Sequence, residues 1–151
     1  MEEEILIFEL AAGRYALRSS AVREVLRAFS AVKLPQAPPF VEGLLNLRGE
    51  IIPLLDIRRR FGLPHKNMSV SDHLIIAWDG VRSVALRVDR VQHLTRLPIQ
   101  NLVGSESFLA PTDVVAGVAI APDGMVLIHD LARFLSAAEQ ELLGKVLERG
   151  P

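Results

Sequence analysis

The sequence predicts a mainly β protein, in which two small β-barrels, one from each half of the chain, pack together. Short helices and a C-terminal helix complete the prediction. Short apolar runs of strand length alternate with turn residues, and half of the residues are hydrophobic, which is enough for a real core. The chain also repeats itself. Its 151 residues predict a single domain over residues 1–151.

The first elements are predicted to be two strands and a short helix. Residues 5–10 and 14–17 are apolar runs on either side of a turn. Ser19 and Ser20 can cap a short helix. Apolar side chains follow at intervals of three and four, which predicts one apolar helix face. These side chains are Val22, Val25, Leu26 and Phe29. The prolines of residues 34–39 then favour an extended connection.

A polar interruption divides the next apolar stretch. Residues 41–63 read VEGLLNLRGEIIPLLDIRRRFGL, which predicts a strand, a turn at NLRG, a second strand and a helical turn over 56–61. Strands at 74–78 and 83–88 flank an Asp-Gly turn signal. Residues 114–120 and 125–128 predict another hairpin around Asp123-Gly124. Residues 100–113 lack a pattern and are predicted to be a loop.

The C-terminal segment, residues 136–149, is predicted to be a helix. Ser136 and Glu139 have the spacing of a capping box, in which each side chain bonds the other residue's backbone N–H. Gly150 is placed to end the helix. The predicted apolar face consists of Leu142, Leu143, Val146 and Leu147.

The internal repeat relates residues 5–63 to residues 74–135. Its early part aligns Ala16-Leu17-Arg18 with Ala85-Leu86-Arg87, and its late part, after a small change of offset, aligns Asp56 with Asp130. Residues present in both halves are predicted to serve the fold, as tight backbone positions or caps. They are Gly43, Gly117, Asp56 and Asp130. Neither half has many apolar residues of its own, because each is short, so a shared interface would complete both cores.

The NLRG turn differs between the halves. Asn46, Leu47 and Arg48 align with Ile120, Ala121 and Pro122. The second half is predicted to make the same turn without Asn and Arg, so the fold is not expected to require them. This asymmetry indicates a functional role for the first turn.

Composition narrows the class of function. A net charge of −1 gives no basic face for nucleic acid, and the lack of cysteine excludes thiol chemistry and disulfides. No run approaches the length of a membrane span, and the acidic N-terminus does not resemble a signal peptide. We therefore predict a soluble cytoplasmic protein without direct membrane insertion.

No catalytic or metal-binding pattern stands out. The histidines are scattered and are predicted to be ordinary surface or turn residues; they are His65, His73, His93 and His129. Several aspartates are predicted at turns or strand ends: Asp72, Asp79, Asp89 and Asp123. Nucleophile elbows and glycine-rich phosphate loops are missing from the sequence. We expect no enzyme activity, no cofactor and no metal.

The motifs of residues 41–63, together with VLIHDLARFL at 126–135, closely resemble the signature of the CheW-like domain family. The resemblance covers about residues 5–143. It implies two SH3-like five-stranded barrels and an adaptor that couples chemoreceptors (methyl-accepting chemotaxis proteins) to a CheA-type histidine kinase. The kinase would bind through its own C-terminal CheW-like domain. The adaptor would be recruited to receptor arrays at the inner face of the cytoplasmic membrane.

The resemblance also implies a set of partner-binding residues. Arg48 matches the arginine associated with receptor and kinase coupling. Val22 and Glu24 match positions tied to receptor-tip binding in the groove between the barrels. Asn46 and Gly49 match positions that shape the turn, and Leu47 lies between them in the motif.

Several alternatives stay open at the level of sequence. Arg48 could offer its fork of donors to a partner carboxylate, or could pair internally with Glu24 or Glu42 and only stabilise the turn. Residues 58–60, all arginine, read as a solvated face or as a patch for an acidic partner. The whole protein could serve a non-flagellar chemosensory pathway (pili, gliding or second messengers). It could instead be a small β-barrel enzyme or ligand-binding protein with a polar pocket.

Overall fold

The protein is described by a computed structural model covering residues 2–101 and 115–149. Within these residues the chain forms ten strands, two short 3-10 turns and two α-helices. The strands are β1 (Glu2–Leu10), β2 (Gly13–Arg18), β3 (Val22–Arg27), β4 (Val41–Leu47), β5 (Glu50–Leu55), β6 (His73–Trp78), β7 (Ser83–Val88), β8 (Arg90–Asn101), β9 (Val115–Ala121) and β10 (Gly124–His129). The helices are α1 (Ile57–Arg60) and α2 (Ala137–Arg149), and the 3-10 turns are Ser19–Ala21 and Leu131–Arg133.

The strands form two five-stranded sheets. The first, with the order β1-β2-β10-β9-β8, closes into a barrel, which we call the first barrel. The second sheet has the order β3-β6-β7-β5-β4. A bridge joins the segment after β3 to β4, because Val32 and Leu44 exchange two backbone hydrogen bonds of 2.8 Å. The predicted fold class, mainly β with two five-stranded units and a C-terminal helix, is confirmed.

The two sheets do not coincide with the two halves of the repeat. Strands β3 to β7 are consecutive and form the second sheet, whereas β1 and β2 join β8, β9 and β10 from the far end of the chain. Each sheet therefore takes two strands from one repeat and three from the other. The prediction of one barrel per half was wrong in its connectivity. The exchange ties the two sheets together through the chain itself.

The repeat is nevertheless visible in the packing. The interior of the first barrel contains Ile5, Ile7, Ala16, Ala119, Val126 and Ile128. The interior of the second sheet contains Leu45, Leu47, Ile52, Leu54, Leu74, Ile76 and Ala85. The two alignments of the repeat bring every member of the first set onto a member of the second. The two units are pseudosymmetric copies with exchanged strands.

A third core lies between the sheets and draws on both. Along β1, Ile5 and Ile7 point into the first barrel, whereas Leu6 and Phe8 point into the shared core. Strands buried on both faces read as continuous apolar runs and not as alternating ones. The expectation that a shared interface completes both cores is confirmed.

The helix predicted after Ser19 is wrong. Ser19–Ala21 forms a 3-10 turn, and the chain then enters β3, Val22–Arg27, where half-buried and exposed residues alternate. The prediction of a loop from residue 100 is also wrong at its start, because Gln100 lies in β8. The rest of that loop prediction, residues 102–113, lies outside the described residues.

The predicted caps have mixed outcomes. Asp56 accepts a 3.0 Å hydrogen bond from the backbone N–H of Arg59 and caps α1, as predicted. Its repeat partner Asp130 makes no capping bond, so that prediction was wrong. The capping box of α2 is confirmed: Ser136 N–H donates to Glu139 Oε1 at 2.8 Å, and Glu139 N–H donates to Ser136 Oγ at 3.1 Å.

The helix α2 buries part of its predicted apolar face. Leu143 and Val146 are buried, whereas Leu142 is exposed and lies outside that face. At 13 residues α2 is the longest of the described helices. No helix in the described ranges has the length and apolar character needed to cross a bilayer.

Gly43→Ala is expected to lower the free energy of unfolding by about 2 kcal/mol, through overpacking. A Cβ at Gly43 would lie 2.8 Å from the backbone oxygen of Val32 and 2.9 Å from Ala31 Cβ. The matched control is Gly144→Ala in α2, where a Cβ would meet only Arg82 at 3.6 Å. That change should stabilise the helix by about 1 kcal/mol. Urea unfolding of both variants measures the two signs, and equal effects would contradict the close approach at residue 43.

Candidate functional site

The NLRG motif forms the tight turn between β4 and β5. Leu47 pairs with Glu50, which leaves Arg48 and Gly49 as the two central residues, with φ of 51° and 88°. Positive φ at both central positions defines a type I′ turn, the geometry that suits a two-residue hairpin. Asn46 Oδ1 accepts a 2.9 Å hydrogen bond from Gly49 N–H across the turn. Asn46 and Gly49 therefore shape the turn.

The counterpart turn between β9 and β10 has the same length but another geometry. Ala121 pairs with Gly124, so Pro122 and Asp123 are central. The proline ring fixes φ at a negative value, and the positive φ falls on Gly124 instead, at 141°. The second half thus does not make the same turn, contrary to the sequence interpretation. Asn46 has a structural role that Pro122-Asp123 makes unnecessary.

Arg48 occupies a backbone conformation that disfavours it. Left-handed φ costs a residue with a Cβ about 1 kcal/mol, and glycine or asparagine is the usual choice there. The Arg48 side chain is 66% exposed, and its Nη2 lies 2.5 Å from Glu24 Oε2. Of the two internal partners proposed from sequence, Glu24 is correct, whereas Glu42 pairs with Arg87. An exposed pair of this kind contributes at most about 1 kcal/mol.

Two ion pairs connect β3 to the NLRG turn. The pairing of β3 with β6 shifts register between Val22 and Glu24, which makes Arg23 an inserted residue. Arg23 Nη1 lies 3.1 Å from Glu50 Oε2 and donates to Ser83 Oγ, while Glu24 receives Arg48. We call Glu24, Arg48 and their neighbours Arg23 and Glu50 the hairpin surface. It is charged, and most of its side chains are accessible.

The remaining predicted site residues, Val22 and Leu47, pack into the hydrophobic cores. Val22 is half-buried against the shared core, and Leu47 is 7% exposed in the core of the second sheet. The structure thus brings Glu24 and Arg48 into direct contact and places Asn46 and Gly49 in the turn that presents the arginine. Leu47 anchors that turn and offers little surface to a partner.

The arginine run at residues 58–60 is a solvated face only in part, because Arg59 and Arg60 are exposed whereas Arg58 is buried. Arg58 is buried; its Nη2 lies 2.9 Å from both carboxylate oxygens of Asp89, and its Nη1 donates to the Pro64 carbonyl. Arg60 pairs with Glu139 and lies over the ring of Phe134. The side chain of Arg59 is exposed. One arginine of the run is therefore buried in an ion pair, and the other two face solvent.

Asp89, the partner of Arg58, belongs to a larger ion network that is mostly buried. Arg87, 4% exposed, contacts Asp72 at 2.9 Å and Glu42 at 3.2 Å, and Lys66 joins Asp72 to Asp89 at 2.8 and 3.3 Å. Burial acts to raise the pKa of Asp72, but hydrogen bonds from Lys66, Ser69 and Arg87 hold it below its ordinary value. Burial raises the pKa of Glu42 despite the opposing Arg87.

The sequence does not predict this network, although it predicts the local turn positions of two of its members, Asp72 and Asp89. Asp72 accepts from Ser69 N–H at 2.9 Å, and Asp89 accepts from Ala11 N–H at 2.7 Å, so the predicted turn roles are correct. Their second role, as counter-ions for Arg58 and Arg87, depends on contacts up to 31 residues apart. No local pattern encodes such distant pairs.

His129 is buried, which contradicts the prediction of a surface or turn histidine. It is 3% exposed and packs its ring edge-on to Phe61 and Phe134, with centroids 5.1 and 5.2 Å apart. Neither ring nitrogen finds a hydrogen-bond partner among the described residues. Burial, aided by the nearby charge of Arg60, lowers the pKa of His129 to about 3. The ring is therefore neutral in the folded protein near pH 7.

Stability is expected to fall as pH drops below about 6.5, because the unfolded chain binds a proton at His129 and the folded chain does not. Between pH 7 and pH 5 this amounts to about 2 kcal/mol. His129→Leu, which copies the repeat counterpart Leu55, should remove that slope. His93→Gln, at an exposed position, is the control and should leave it. Urea unfolding across the pH range measures it, and an unchanged slope in His129→Leu would reject the burial argument.

Shallow cavities adjoin these elements. One of about 440 Å³ lies between α1 and α2 and is lined by Phe40, Asp56, Arg59, Arg60 and Glu139. Burial acts to raise the pKa of Glu139, which lines this cavity, but hydrogen bonds from Ser136 and Arg60 hold it below its ordinary value. Across residues 2–101 and 115–149 no cluster of three or more histidine, aspartate or glutamate side chains is placed to hold a metal ion.

Comparison with known proteins identifies the family. The CheW-like domain model matches residues 4–139. The Chemotaxis protein CheW of Klebsiella aerogenes is 26% identical, over 95% of this chain and 88% of its own length. Its counterpart from Rhizobium meliloti is 27% identical, over 91% and 90% of the two chains.

A solved structure agrees with the match in fold. The crystal structure of the scaffolding protein TtCheW from Thermoanaerobacter tengcongensis has a TM-score of 0.73 and 32% sequence identity to this chain. The likeness covers 87% of this chain and 92% of that chain. Family, relatives and fold agree, and the chain belongs to the CheW-like domain family of chemotaxis scaffold and adaptor proteins.

Proposed function

We propose that this protein is an adaptor that holds a chemoreceptor tip and a CheA-type histidine kinase in one complex, with the hairpin surface as a partner contact. The observation that carries the proposal is Arg48. A residue with a Cβ is kept in a left-handed position, on a turn that glycine or asparagine would make with less strain. Strain of this kind at an exposed side chain points to a role outside the fold.

The geometry favours exchange of the Arg48 partner. The type I′ turn and the Asn46–Gly49 hydrogen bond fix the backbone, so the guanidinium is presented from a rigid base. Its bond to Glu24 is exposed and weak, and a partner carboxylate that also excludes water would compete for the same donors. Arginine is enriched at interaction hot spots.

The proposed contribution to signalling is geometric. Binding two partners on one rigid body raises the effective concentration of one at the other. The adaptor can bias the kinase between states only if its contacts differ between those states. In this proposal the protein acts at receptor arrays on the inner face of the cytoplasmic membrane, and contributes binding and not catalysis.

Calorimetric titration with the C-terminal regulatory fragment of a chemosensory kinase from the same genome tests the proposal. Saturable binding at micromolar concentration or below is the expected result. A parallel titration with a soluble receptor-tip fragment tests the second partner. Failure of every such kinase fragment to bind would reject the adaptor role for this chain.

A further inference from the structure

A cleft of about 280 Å³ lies between the two sheets. The end of β2 and the following 3-10 turn form one side, the β6–β7 turn forms another, and the segment after β10 forms the third. Trp78, which is half exposed, Asp130, Ser20 and Ala132 line it. Residues 19–21 lead directly into β3, so the cleft adjoins the chain segment that carries Val22.

The pseudosymmetry of the fold shows what occupies the equivalent place on the other side. The early part of the repeat relates Ser20 to Asp89, and the late part relates Ala132 to Arg58. There the side chain of Arg58 fills the junction between the sheets, 9% exposed, with its Nη2 2.9 Å from both oxygens of Asp89. The cleft is thus the same position with the arginine shortened to alanine and its carboxylate partner replaced by serine.

The charges around the cleft favour a cation. Arg18 lines it but is paired with Glu3 at 2.8 Å. Asp79 is stabilised by the N–H groups of the β6–β7 turn. Asp130 lines the cleft without making a capping bond or an ion pair to any described residue, so no described side chain neutralises its carboxylate. The aromatic face of a tryptophan such as Trp78 attracts cations within about 6 Å of its centroid.

We propose that this cleft receives an arginine side chain from a protein partner. The aliphatic stem would lie against Ala132 and Leu131, and the guanidinium would donate to the Asp130 carboxylate and to Ser20 Oγ beside Trp78. Arginine fits better than lysine, because the filled junction holds a planar fork that donates in two directions, to a carboxylate and to a backbone carbonyl. The inference rests on the proposed adaptor function in one respect only: the adaptor function decides which protein supplies the arginine.

Titration with N-acetyl-arginine amide tests the cleft directly. Trp78 is the single tryptophan, so its fluorescence reports occupancy, and amide chemical shifts locate the site. Saturable changes at Trp78, Ser20 and Ala132 are expected, and the uncharged citrulline analogue should produce none. Asp130→Asn should weaken the apparent affinity about fivefold. Equal responses to arginine and citrulline, or no saturable response to arginine, would overturn the proposal.

A variant that fills the cleft from within gives an independent measurement. Ser20→Asp with Ala132→Arg rebuilds the Arg58–Asp89 pair at the equivalent position. The double variant should unfold at a higher temperature than either single variant and should no longer respond to N-acetyl-arginine amide. A double variant that binds the amide as well as the parent does would refute the assignment of the ligand to this cleft.

The two proposals fail in distinguishable ways. Loss of kinase and receptor binding by the double variant, with its fold intact, would place a partner arginine in the cleft. A parent protein that binds the arginine amide in the cleft but no kinase or receptor fragment would sink the adaptor role and leave the site standing. A parent protein that binds the kinase fragment but not the arginine amide would leave the adaptor role standing and reject the arginine site.

Discussion

Asp72→Asn is expected to lower the free energy of unfolding by about 3 kcal/mol, the largest of the expected effects on stability. The Asp72 side chain is fully buried and is the contact shared by Arg87 and Lys66, at 2.9 and 2.8 Å. Without its charge the buried Arg87 keeps the Lys66 carbonyl as an acceptor, and among the described residues its one remaining carboxylate is Glu42, which is 3.2 Å away and has a raised pKa. Urea unfolding at pH 7 measures the loss.

Asp123→Asn is the matched control. It removes the same charge from an ion pair with Arg14, but Asp123 is 70% exposed, so the expected change is far smaller than that of Asp72→Asn. A double-mutant cycle of Asp72→Asn with Arg87→Met should show coupling of about 2 kcal/mol, because the second change removes the charge that the first leaves uncompensated. Additive effects would mean that the network does not act as a unit.

The ion network and His129 should make stability depend on pH over two separate ranges. The pKa of Asp72 is lowered in the folded protein, so its contribution to stability is present above its ordinary value of 3.8 and is lost as pH falls through the depressed value. His129 acts over a higher pH range, because below about pH 6.5 the unfolded chain binds a proton at this residue and the folded chain does not. As the pH falls, stability should therefore be lost first through protonation at His129 in the unfolded chain and later through protonation of Asp72 in the ion network.

The fold class could be predicted because its signals are local. Strand lengths, the Asp56 cap and the Ser136–Glu139 capping box depend on residues close to each other in the chain. The exchange of strands between the halves could not be predicted, because either pairing buries the same apolar side chains. What decides it is which strand edges meet, such as β2 with β10 in parallel, and that is a property of the assembled sheets.

The wrong helix at β3 has a specific physical cause. Val22, Val25 and Leu26 have helical spacing, but half-buried and exposed residues alternate along β3, so that Val22 and Leu26 are half-buried and Val25 is exposed. Pairing with β6 supplies hydrogen bonds and burial that intrinsic propensity does not include. The repeat contained a usable signal, since Val22 aligns with Val91, which lies in the long strand β8.

The turn of the candidate site could be predicted from the sequence, but the ion pairs around it could not. Asn46, Arg48 and Gly49 form one motif, and the motif itself determines the type I′ geometry. The pairing of Arg48 with Glu24 joins residues that are distant in the chain and was one of two possibilities. The neutral His129 and the buried Arg58 were missed because burial between two sheets cannot be deduced from flanking residues.

Arg48→Gly is expected to weaken binding of the kinase or receptor fragment at least tenfold while leaving the stability of the free protein unchanged or raised by up to about 1 kcal/mol. Glycine relieves the left-handed strain at φ 51°, and the loss of the exposed pair with Glu24 costs at most a similar amount. Calorimetry measures the affinity, and urea unfolding measures the stability. Affinity should fall without any fall in stability, which a purely structural arginine would not allow.

Two further variants separate charge from general surface effects. Arg48→Lys keeps the charge and loses the fork, so binding should fall to an intermediate level. Arg23→Ala removes the neighbouring exposed ion pair with Glu50 and should change affinity much less than Arg48→Gly, if the contact is centred on Arg48. A marked drop in stability for Arg48→Gly with unchanged affinity would assign the arginine to the turn alone. The partner contact would then have to be sought elsewhere on the two sheets.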